Sequence, residues 1–137
     1  MRKALWIASG LLVSAFIIVV LWPEPADRGH SAFYSDRSYD FEAKRVLDDV
    51  AVAGGDTGEA LQAIGEVPAG DAQGWYRAWL AAGDRAVAVA SNTHAPLEQG
   101  HALLRAHTYY RTAEFFLSPQ DPRRPEIWKK NVDALSW

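Results

Sequence analysis

The chain has 137 residues, a length typical of one domain, and its formal net charge at pH 7 is −3. A slightly acidic chain lacks the clustered basic face of nucleic-acid-binding proteins, so we expect no nucleic-acid partner. The sequence contains no cysteine, which excludes disulfide bonds, cysteine-ligated zinc and a thiol nucleophile.

Residues 4–22 are the first feature of the chain: they form a run of 19 residues without a charged side chain. As an α-helix this run would be roughly 28 Å long, close to the thickness of the hydrocarbon core of a bilayer. Trp6 and Trp22 lie near its ends, where indole rings prefer the membrane interface, and two cations precede it. Residues 1–22 are therefore predicted to be a single transmembrane anchor. Its N-terminus would be cytoplasmic and the C-terminal domain outside, in the periplasm or the extracellular space.

A cleaved signal peptide is the alternative interpretation of this segment. Its apolar region would be about 7–15 residues long and would precede a cleavage site of small residues. Here the apolar run is longer, and the sequence WPEPADRGH that follows it contains no convincing site. An uncleaved anchor is therefore favoured.

Residues 23–39 are predicted to be a flexible tether, because they contain two prolines, a glycine and three serines and show no apolar period. Residues 40–137 are predicted to form an all-α domain, a small bundle of about four or five helices. Aspartates suited to cap helices, and a proline suited to the first position of a helix, mark the starts. The predicted starts are Asp40, Asp56, Asp71 and Pro96, and a final helix over residues 125–135 has Ile127, Trp128, Val132 and Leu135 as its apolar contacts.

Apolar residues recur at helical spacing in the two longest predicted helices. Trp75 and Trp79 share a face with several alanines, a mixture of large and small side chains typical of a helix–helix contact. A pair of tryptophans can also stack on a sugar or a base, but no companion polar groups favour that interpretation. The side chains predicted to form the core are Trp75, Trp79, Leu103, Tyr109, Tyr110, Phe116 and Leu117.

The helix predicted over residues 96–117 carries a second apolar stripe, Leu104 and Phe115, on a different side from its core face. A helix with two apolar sides is buried on both, which predicts a further layer supplied by another domain, a partner chain or a second copy. A narrow polar strip lies between the two apolar faces and consists of His107, Arg111 and Glu114. These three residues, together with Leu104 and Phe115, are candidates for contact with another domain or with substrate. The polar strip also suits an ordinary charge cluster within one helix.

Patterns for catalysis or metal binding are few. His94, Glu98 and His101 have a spacing that could place two histidines and a carboxylate on one helical face. Because Pro96 lies at the predicted start of that helix, His94 falls outside it, and exposed histidines are the favoured interpretation. The chain contains neither the G-x-S-x-G motif of a nucleophile elbow nor a glycine-rich phosphate loop. We therefore assign no catalytic residue, metal or cofactor to it.

Two stretches, GWYRAWLAAGDRAVAVA and LLRAHTYYRTAEFFLSPQDPRRPEIW, carry a family resemblance. Over residues 55–135 the chain resembles the N-terminal helical region of serine α/β-hydrolases similar to 2,6-dihydroxypseudooxynicotine hydrolase and the fermentation–respiration switch esterase. The resemblance implies a helical cap that packs over a following catalytic domain, and that domain holds the serine, aspartate and histidine of the reaction. None of those residues falls on this chain, so the resemblance implies no hydrolase activity for the chain alone.

Two hypotheses for function follow. In the first, residues 40–137 are the non-catalytic cap of a membrane-anchored, exported α/β-hydrolase whose catalytic domain is missing from this chain. In the second, the chain is complete and works as a membrane-anchored helical interaction module, although no repeat of about 34 residues supports this. The expected partners are a lipid bilayer through residues 4–22 and a hydrolase domain or partner chain, with a second copy of the chain as a further candidate.

Overall fold

The computed structural model describes residues 32–136, and five α-helices account for most of this part of the chain. They are α1 (Arg37–Ala53), α2 (Thr57–Gly65), α3 (Ala72–Asn92), α4 (Pro96–Ala113) and α5 (Arg124–Asp133). Residues 32–136 contain no strand, in agreement with the helical part of the predicted fold class. The contact between α3 and α4 is the most extensive, α5 packs on α4, and α1 and α2 complete the bundle.

The N-terminal transmembrane helix, the other part of the predicted fold class, is not supported and has to be corrected. Among residues 32–136, no helix combines the length and the apolarity that crossing a bilayer requires. The longest of them, α3, is a continuous helix, but its apolar sequence is interrupted by the charged side chains of Arg77, Asp84 and Arg85. The run over residues 4–22 on which that prediction rested, with Trp6 and Trp22, lies outside the described residues.

α1 begins one turn earlier than predicted. Asp36 is its N-cap, and the carboxylate accepts hydrogen bonds from two backbone N–H groups of the first turn. The predicted cap, Asp40, lies inside the helix, where its carboxylate accepts from the Phe33 N–H at 2.8 Å and from Lys44 Nζ at 2.6 Å. Residues 37–39 therefore belong to the helical domain and not to the predicted tether.

The starts of α2, α3 and α4 follow the predicted local chemistry. The Asp56 carboxylate accepts from the Glu59 N–H at 2.9 Å, and the Asp71 carboxylate accepts from the Gly74 N–H at 2.7 Å. Each bond satisfies one of the N–H groups that have no partner in the first turn of a helix. Pro96 occupies the first turn of α4, where no helical hydrogen bond needs its missing N–H.

α4 ends at Ala113, one turn before the predicted end at residue 117. Side chains from other helices donate hydrogen bonds to the backbone carbonyl oxygens at this end. Trp75 Nε1 donates to the Thr112 carbonyl oxygen at 2.9 Å, and Arg124 Nη1 donates to the Leu117 carbonyl oxygen at 3.0 Å. Because the helix stops here, residues 114–117 do not continue the helical wheel from which the second apolar stripe was predicted.

An aromatic cluster fills the centre of the bundle. Trp75, Trp79 and Tyr109 are fully buried. Phe116, in the turn after α4, stacks on Tyr39 of α1 with ring centroids 4.2 Å apart and meets Trp75 edge to face at 5.2 Å. These contacts join α1, α3 and the end of α4. Of the other side chains predicted to form the core, Tyr110 and Leu117 are buried, whereas Leu103 and Phe116 are partly buried.

Gly83 allows α3 and α4 to approach closely. A Cβ atom built at this position would lie 2.6 Å from Cδ1 of Tyr110, and that ring is buried and held by a hydrogen bond from its hydroxyl to Asp84 Oδ1 at 2.7 Å. We expect Gly83→Ala to lower the free energy of unfolding by about 1–3 kcal/mol, because overpacking outweighs the helical preference of alanine. Urea denaturation followed by circular dichroism measures the change.

Gly65→Ala is the matched control for this substitution. Gly65 is the last residue of α2, and a Cβ atom there would have no neighbour within 4 Å. We expect this variant to be more stable than the parent by about 0.4–1 kcal/mol, because alanine restricts the unfolded chain. An increase of the same size in Gly83→Ala would contradict the close approach of the two helices.

Candidate functional site

The predicted polar strip of α4 is divided among neighbouring helices. His107 Nδ1 donates to a backbone carbonyl of α5 at 3.3 Å. Arg111 forms an ion pair with Asp49 of α1. The Glu114 carboxylate lies 3.6 Å from the Arg124 guanidinium of α5. In the part of the chain that the structure describes, these three side chains do not pair with one another, so the strip fastens α4 to α1 and α5.

Asp49 belongs to an ion network between α1 and α4. Glu42 is fully buried, and its carboxylate accepts a hydrogen bond from Arg45 Nε at 2.8 Å. Arg45 also bonds to Asp49, which accepts a further hydrogen bond from Arg111. Hydrogen bonding to Glu42 raises the pKa of Arg45 above its ordinary value. Two cations and two anions compensate one another here, which suits a structural role.

Phe115 lies at the α1 end of the bundle. It is 46% exposed, and the Arg45 guanidinium carbon is 5.5 Å from the centroid of its ring. The ring lines a shallow hollow with Arg37 and Phe41 of α1. The turn after α4 carries Phe115 towards α1, so it does not extend a stripe from Leu104 along α4 as predicted.

Leu104 lies beside the turn between α1 and α2 and beside the end of α5. The backbone of Gly54 has φ +97°, and a Cβ atom there would lie 2.6 Å from Leu104 Cγ. A side chain at Gly54 would therefore be strained and would displace the leucine. On its other side Leu104 lines a hollow of about 510 Å³ together with Leu97 and Leu135.

α5 and the turn after it expose a row of apolar side chains. Trp128, Val132 and Leu135 are 59%, 39% and 54% exposed, whereas Ile127 on the inner side is buried. Of the four predicted apolar contacts of this helix, only Ile127 is therefore in the core. Leu135 lies in the same hollow as two exposed leucines of α4, so the row continues onto that helix. We call this set the outer α5 surface: Leu97, Leu104, Trp128, Val132 and Leu135.

The loop before α5 is held by two arginines. Arg123 pairs with Asp121, and its guanidinium carbon lies 4.5 Å from the centroid of the Tyr76 ring. The hydrogen bonds from Arg123 lower the pKa of Asp121 to about 2. Arg124 donates to two carbonyl oxygens in the turn after α4. The motif DPRR thus holds the loop in place. The loop borders an open groove of about 490 Å³, whose lining includes Pro119, Pro122, Pro125 and Trp128.

Two buried tyrosines of α4 are bonded to carboxylates. The Tyr109 hydroxyl donates to Glu59 Oε2 at 2.7 Å and accepts from the Asp56 N–H at 2.9 Å. The Tyr110 hydroxyl donates to Asp84 Oδ1 at 2.7 Å. Burial, and then these bonds to carboxylates, raise the pKa of both tyrosines above the ordinary value. Both hydroxyls stay protonated at neutral pH and act as structural donors.

Residues 32–136 contain no arrangement that suits catalysis or metal binding. No group of three or more histidine, aspartate and glutamate side chains among them could hold a metal ion. Glu98 accepts a hydrogen bond from Thr93 Oγ1 at 3.2 Å, and His94 precedes the first residue of α4. The spacing of His94, Glu98 and His101 therefore does not correspond to a metal-binding cluster among the described residues.

The predicted site residues do not include the exposed row of α5, although a signal for it exists in the sequence. At 100° per residue, Trp128 and Val132 lie about 100° and 140° from the direction of Ile127 on the helical wheel. A wheel drawn for α5 alone therefore separates an inner from an outer side. The continuation onto Leu97 and Leu104 depends on how α5 packs on α4, for which no local signal exists.

With this fold and these surfaces, the chain is similar in sequence to part of several hydrolases, some of them described as alpha/beta hydrolases. Hydrolase acrC of Aspergillus aculeatus is 43% identical over 119 residues, which cover 75% of this chain and 27% of that protein. The 20-hydroxy-prefusarin hydrolase FUS2 of Gibberella moniliformis is 36% identical over 111 residues, 77% of this chain and 26% of its own length. Alpha/beta hydrolase gkaG of Penicillium citrinum is 32% identical over 97 residues, 69% and 23% of the two chains.

The chain spans about a quarter of the length of these curated relatives. The matches confirm the predicted resemblance at the level of hydrolases and alpha/beta hydrolases, of which the chain resembles a partial segment. They do not confirm the two individual hydrolases named from the sequence motifs. No protein-family model matches the chain, and no solved structure does.

Proposed function

We propose that the chain is the helical, non-catalytic segment of a larger α/β-hydrolase and that it packs as a cap on the catalytic domain of that enzyme. The observation that carries this proposal is the similarity to hydrolases, which reaches 43% identity while it covers about a quarter of their length. The reaction would belong to the remaining part of the enzyme. The cap would cover one face of that part and shape the access of substrate.

The side chains of the described residues support a non-catalytic role. The polar strip of α4 contacts α1 and α5. In the ion network between α1 and α4, the two cations and two anions compensate one another. The hydroxyls of Tyr109 and Tyr110 are buried donors with raised pKa values. A hydrolase needs a nucleophile, a base and a group that orients the base, within reach of one another. Residues 32–136 present no such set.

The exposed apolar side chains support a role as one layer of a larger fold. A domain that works alone scatters its exposed apolar residues, whereas neighbouring ones mark an interaction site. Here the outer α5 surface collects five of them on two adjacent helices and the turn after α5. A cap that rests on a catalytic domain would bury such a surface.

The isolated chain is expected to be inactive. Purified protein is assayed with p-nitrophenyl acetate and longer aryl esters, and we expect no turnover above that of buffer, because no nucleophile–base pair is present among the described residues. A heat-inactivated sample is the control for non-enzymatic ester hydrolysis. Turnover that a single serine substitution abolishes would contradict the non-catalytic role.

A chimera tests the cap role itself. The segment of hydrolase acrC that matches this chain is replaced by the corresponding residues of this chain, and the same segment is deleted in a control. We expect the chimera to be soluble and its catalytic domain to unfold at a higher temperature than in the deletion control, because a docked cap stabilises the folded domain on which it packs. A chimera whose catalytic domain unfolds at the same temperature as in the deletion control would contradict the proposal.

A further inference from the structure

We infer that the outer α5 surface is the face of the bundle that docks on the catalytic domain of this α/β-hydrolase, with Trp128 as its anchor. The inference rests on the proposed function, since it names the docking partner as the hydrolase domain. It adds which of two exposed apolar regions makes the contact. The other region is the α1 end, formed by Arg37, Phe41 and Phe115.

The packing of α5 shows a helix with two apolar sides. Ile127 is buried against the bundle, while Trp128 and Val132 point away from it and are exposed. Among the described helices, α5 packs chiefly on α4. A ten-residue helix is too short to be stable by itself and depends on contacts with its neighbours. An apolar outer side on such a helix is the expected pattern when a second layer lies against it.

The cations around the outer α5 surface are already paired. Each lysine and arginine of α5 has a carboxylate partner, so a protein that covers the row meets no uncompensated cation in the rim. Such a rim with an apolar centre is the usual anatomy of a protein–protein contact. It offers no attraction for an anionic membrane or a nucleic acid. The pairs are Lys129–Asp133, Lys130–Asp84 and Arg124–Glu114.

Trp128 has the features of an anchor. Its ring is more than half exposed, and it stands beside a proline-containing loop that Arg123 and Arg124 hold in place. A side chain on a preorganised scaffold loses little conformational freedom on binding. Tryptophan is also the residue type most enriched among the side chains that dominate binding energy.

The α1 end is less suited to the contact. The Arg45 guanidinium lies over the Phe115 ring, and Phe116 packs edge to face against the same ring at 4.9 Å. The exposed Phe41 is bordered by Arg37. A domain that covered this end would meet Arg37 and Arg45 directly against the apolar rings, whereas the lysines of α5 lie beside the apolar row.

The length of the relatives beyond the matched segment indicates which partner covers the outer α5 surface. The matched segment is about a quarter of each relative, so a hydrolase domain several times larger than this bundle is covalently close to it in the whole enzyme. A tethered domain is present at millimolar effective concentration and needs only a modest surface to dock. A second copy of this chain has no such advantage.

Cysteine accessibility in the acrC chimera tests the docking face. This chain has no cysteine, so Val132→Cys and Phe41→Cys each introduce one labelling site, on the outer α5 surface and at the α1 end respectively. Maleimide labelling of each site is followed by peptide mass spectrometry in the isolated chain and in the chimera. We expect Val132→Cys to react at least about tenfold more slowly in the chimera and Phe41→Cys to react equally in both. Adding Trp128→Ala to the chimera should restore much of the reactivity of Val132→Cys.

The outcomes separate this inference from the proposed function. Protection of Phe41→Cys with free reaction of Val132→Cys would overturn the docking face and leave the cap role intact. If both sites react as fast as in the isolated chain, and the catalytic domain of the chimera is no more stable than that of the deletion control, the cap role would be overturned as well. A chimera that does not fold would overturn both, because the segment would then fail to replace its counterpart.

Discussion

Replacing Trp75 by alanine is expected to lower the free energy of unfolding by about 3–5 kcal/mol. Trp75 is fully buried, and its ring contacts those of Tyr39, Trp79 and Phe116 from three parts of the bundle. Its Nε1 also donates to the carbonyl oxygen of Thr112, where α4 ends. The substitution therefore removes both the packing that joins α1, α3 and α4 and the hydrogen bond at the end of α4.

The effect is large compared with the total stability of a domain. Folded domains are typically stable by about 5–15 kcal/mol, so the variant would retain a small part of that and would melt at a lower temperature. Urea denaturation followed by far-ultraviolet circular dichroism measures the change. The slope of the free energy with urea should stay the same if the unfolded state is unaffected.

Trp128→Ala is the matched control, because it removes the same atoms from the surface of the bundle. The ring is 59% exposed, so we expect a change within about 0.5 kcal/mol. The two variants distinguish an indole that stabilises the fold from one that lies on the surface we propose for docking. Equal losses for Trp75→Ala and Trp128→Ala would contradict the assignment of Trp128 to an exposed surface.

Helix starts could be predicted from the sequence because their chemistry is local. Asp56, Asp71 and Pro96 each act within one turn of their own position. The start of α1 shows the limit of this approach, since Asp36 and Asp40 are one turn apart and both suit a cap. Asp40 pairs instead with Lys44 and with the backbone of Phe33, and no local rule decides between the two aspartates.

The end of α4 and the fate of its polar strip could not be predicted because their partners are distant in sequence. Trp75 of α3 and Arg124 of α5 donate hydrogen bonds to backbone carbonyl oxygens at the end of α4. Arg111 and Glu114 have the spacing of an intrahelical pair, yet they bind Asp49 and Arg124. The wheel of α4 could not show which neighbour each polar residue would meet.

The outer α5 surface lies between these cases. The separation of Ile127 from Trp128 and Val132 follows from helical periodicity alone. Their junction with Leu97 and Leu104 requires the packing of α5 on α4. Part of the surface that we propose for docking can therefore be predicted from the sequence, as the apolar side of a short helix.

The domain is expected to lose stability steeply above pH 10. Five tyrosines have a pKa raised above the ordinary value of 10.0, and burial is the largest cause of the rise in each. Folding therefore keeps their hydroxyls protonated at a pH at which an unfolded chain would ionise them. These are all the tyrosines of the sequence. They are Tyr34, Tyr39, Tyr76, Tyr109 and Tyr110.

The sign of the effect follows from proton binding. Below pH 10 both states hold the tyrosine protons, and the contribution of the tyrosines to stability is fully present. Above pH 10 the unfolded state loses protons that the folded state retains, so stability falls as the pH rises towards the raised values. Between its unfolded and its folded pKa, each such group lowers the free energy of unfolding by at most about 1.4 kcal/mol per pH unit. Tyr109 and Tyr110, which are 0% and 2% exposed, would together contribute about 3 kcal/mol per unit.

Tyr109→Phe isolates one tyrosine from every other group that titrates in this range. At pH 7 the variant should be less stable by about 1.5–3 kcal/mol, because it loses the hydrogen bond to the Glu59 carboxylate at 2.7 Å. Above pH 10 its free energy of unfolding should fall less steeply than that of the parent, by about 1.4 kcal/mol per pH unit. Urea midpoints measured in parallel from pH 8 upwards give both quantities, the first as an offset and the second as a difference in slope. Parallel lines for the two proteins above pH 10 would show that Tyr109 ionises equally in the folded and unfolded states, and its burial between α4 and α2 would then not control its pKa.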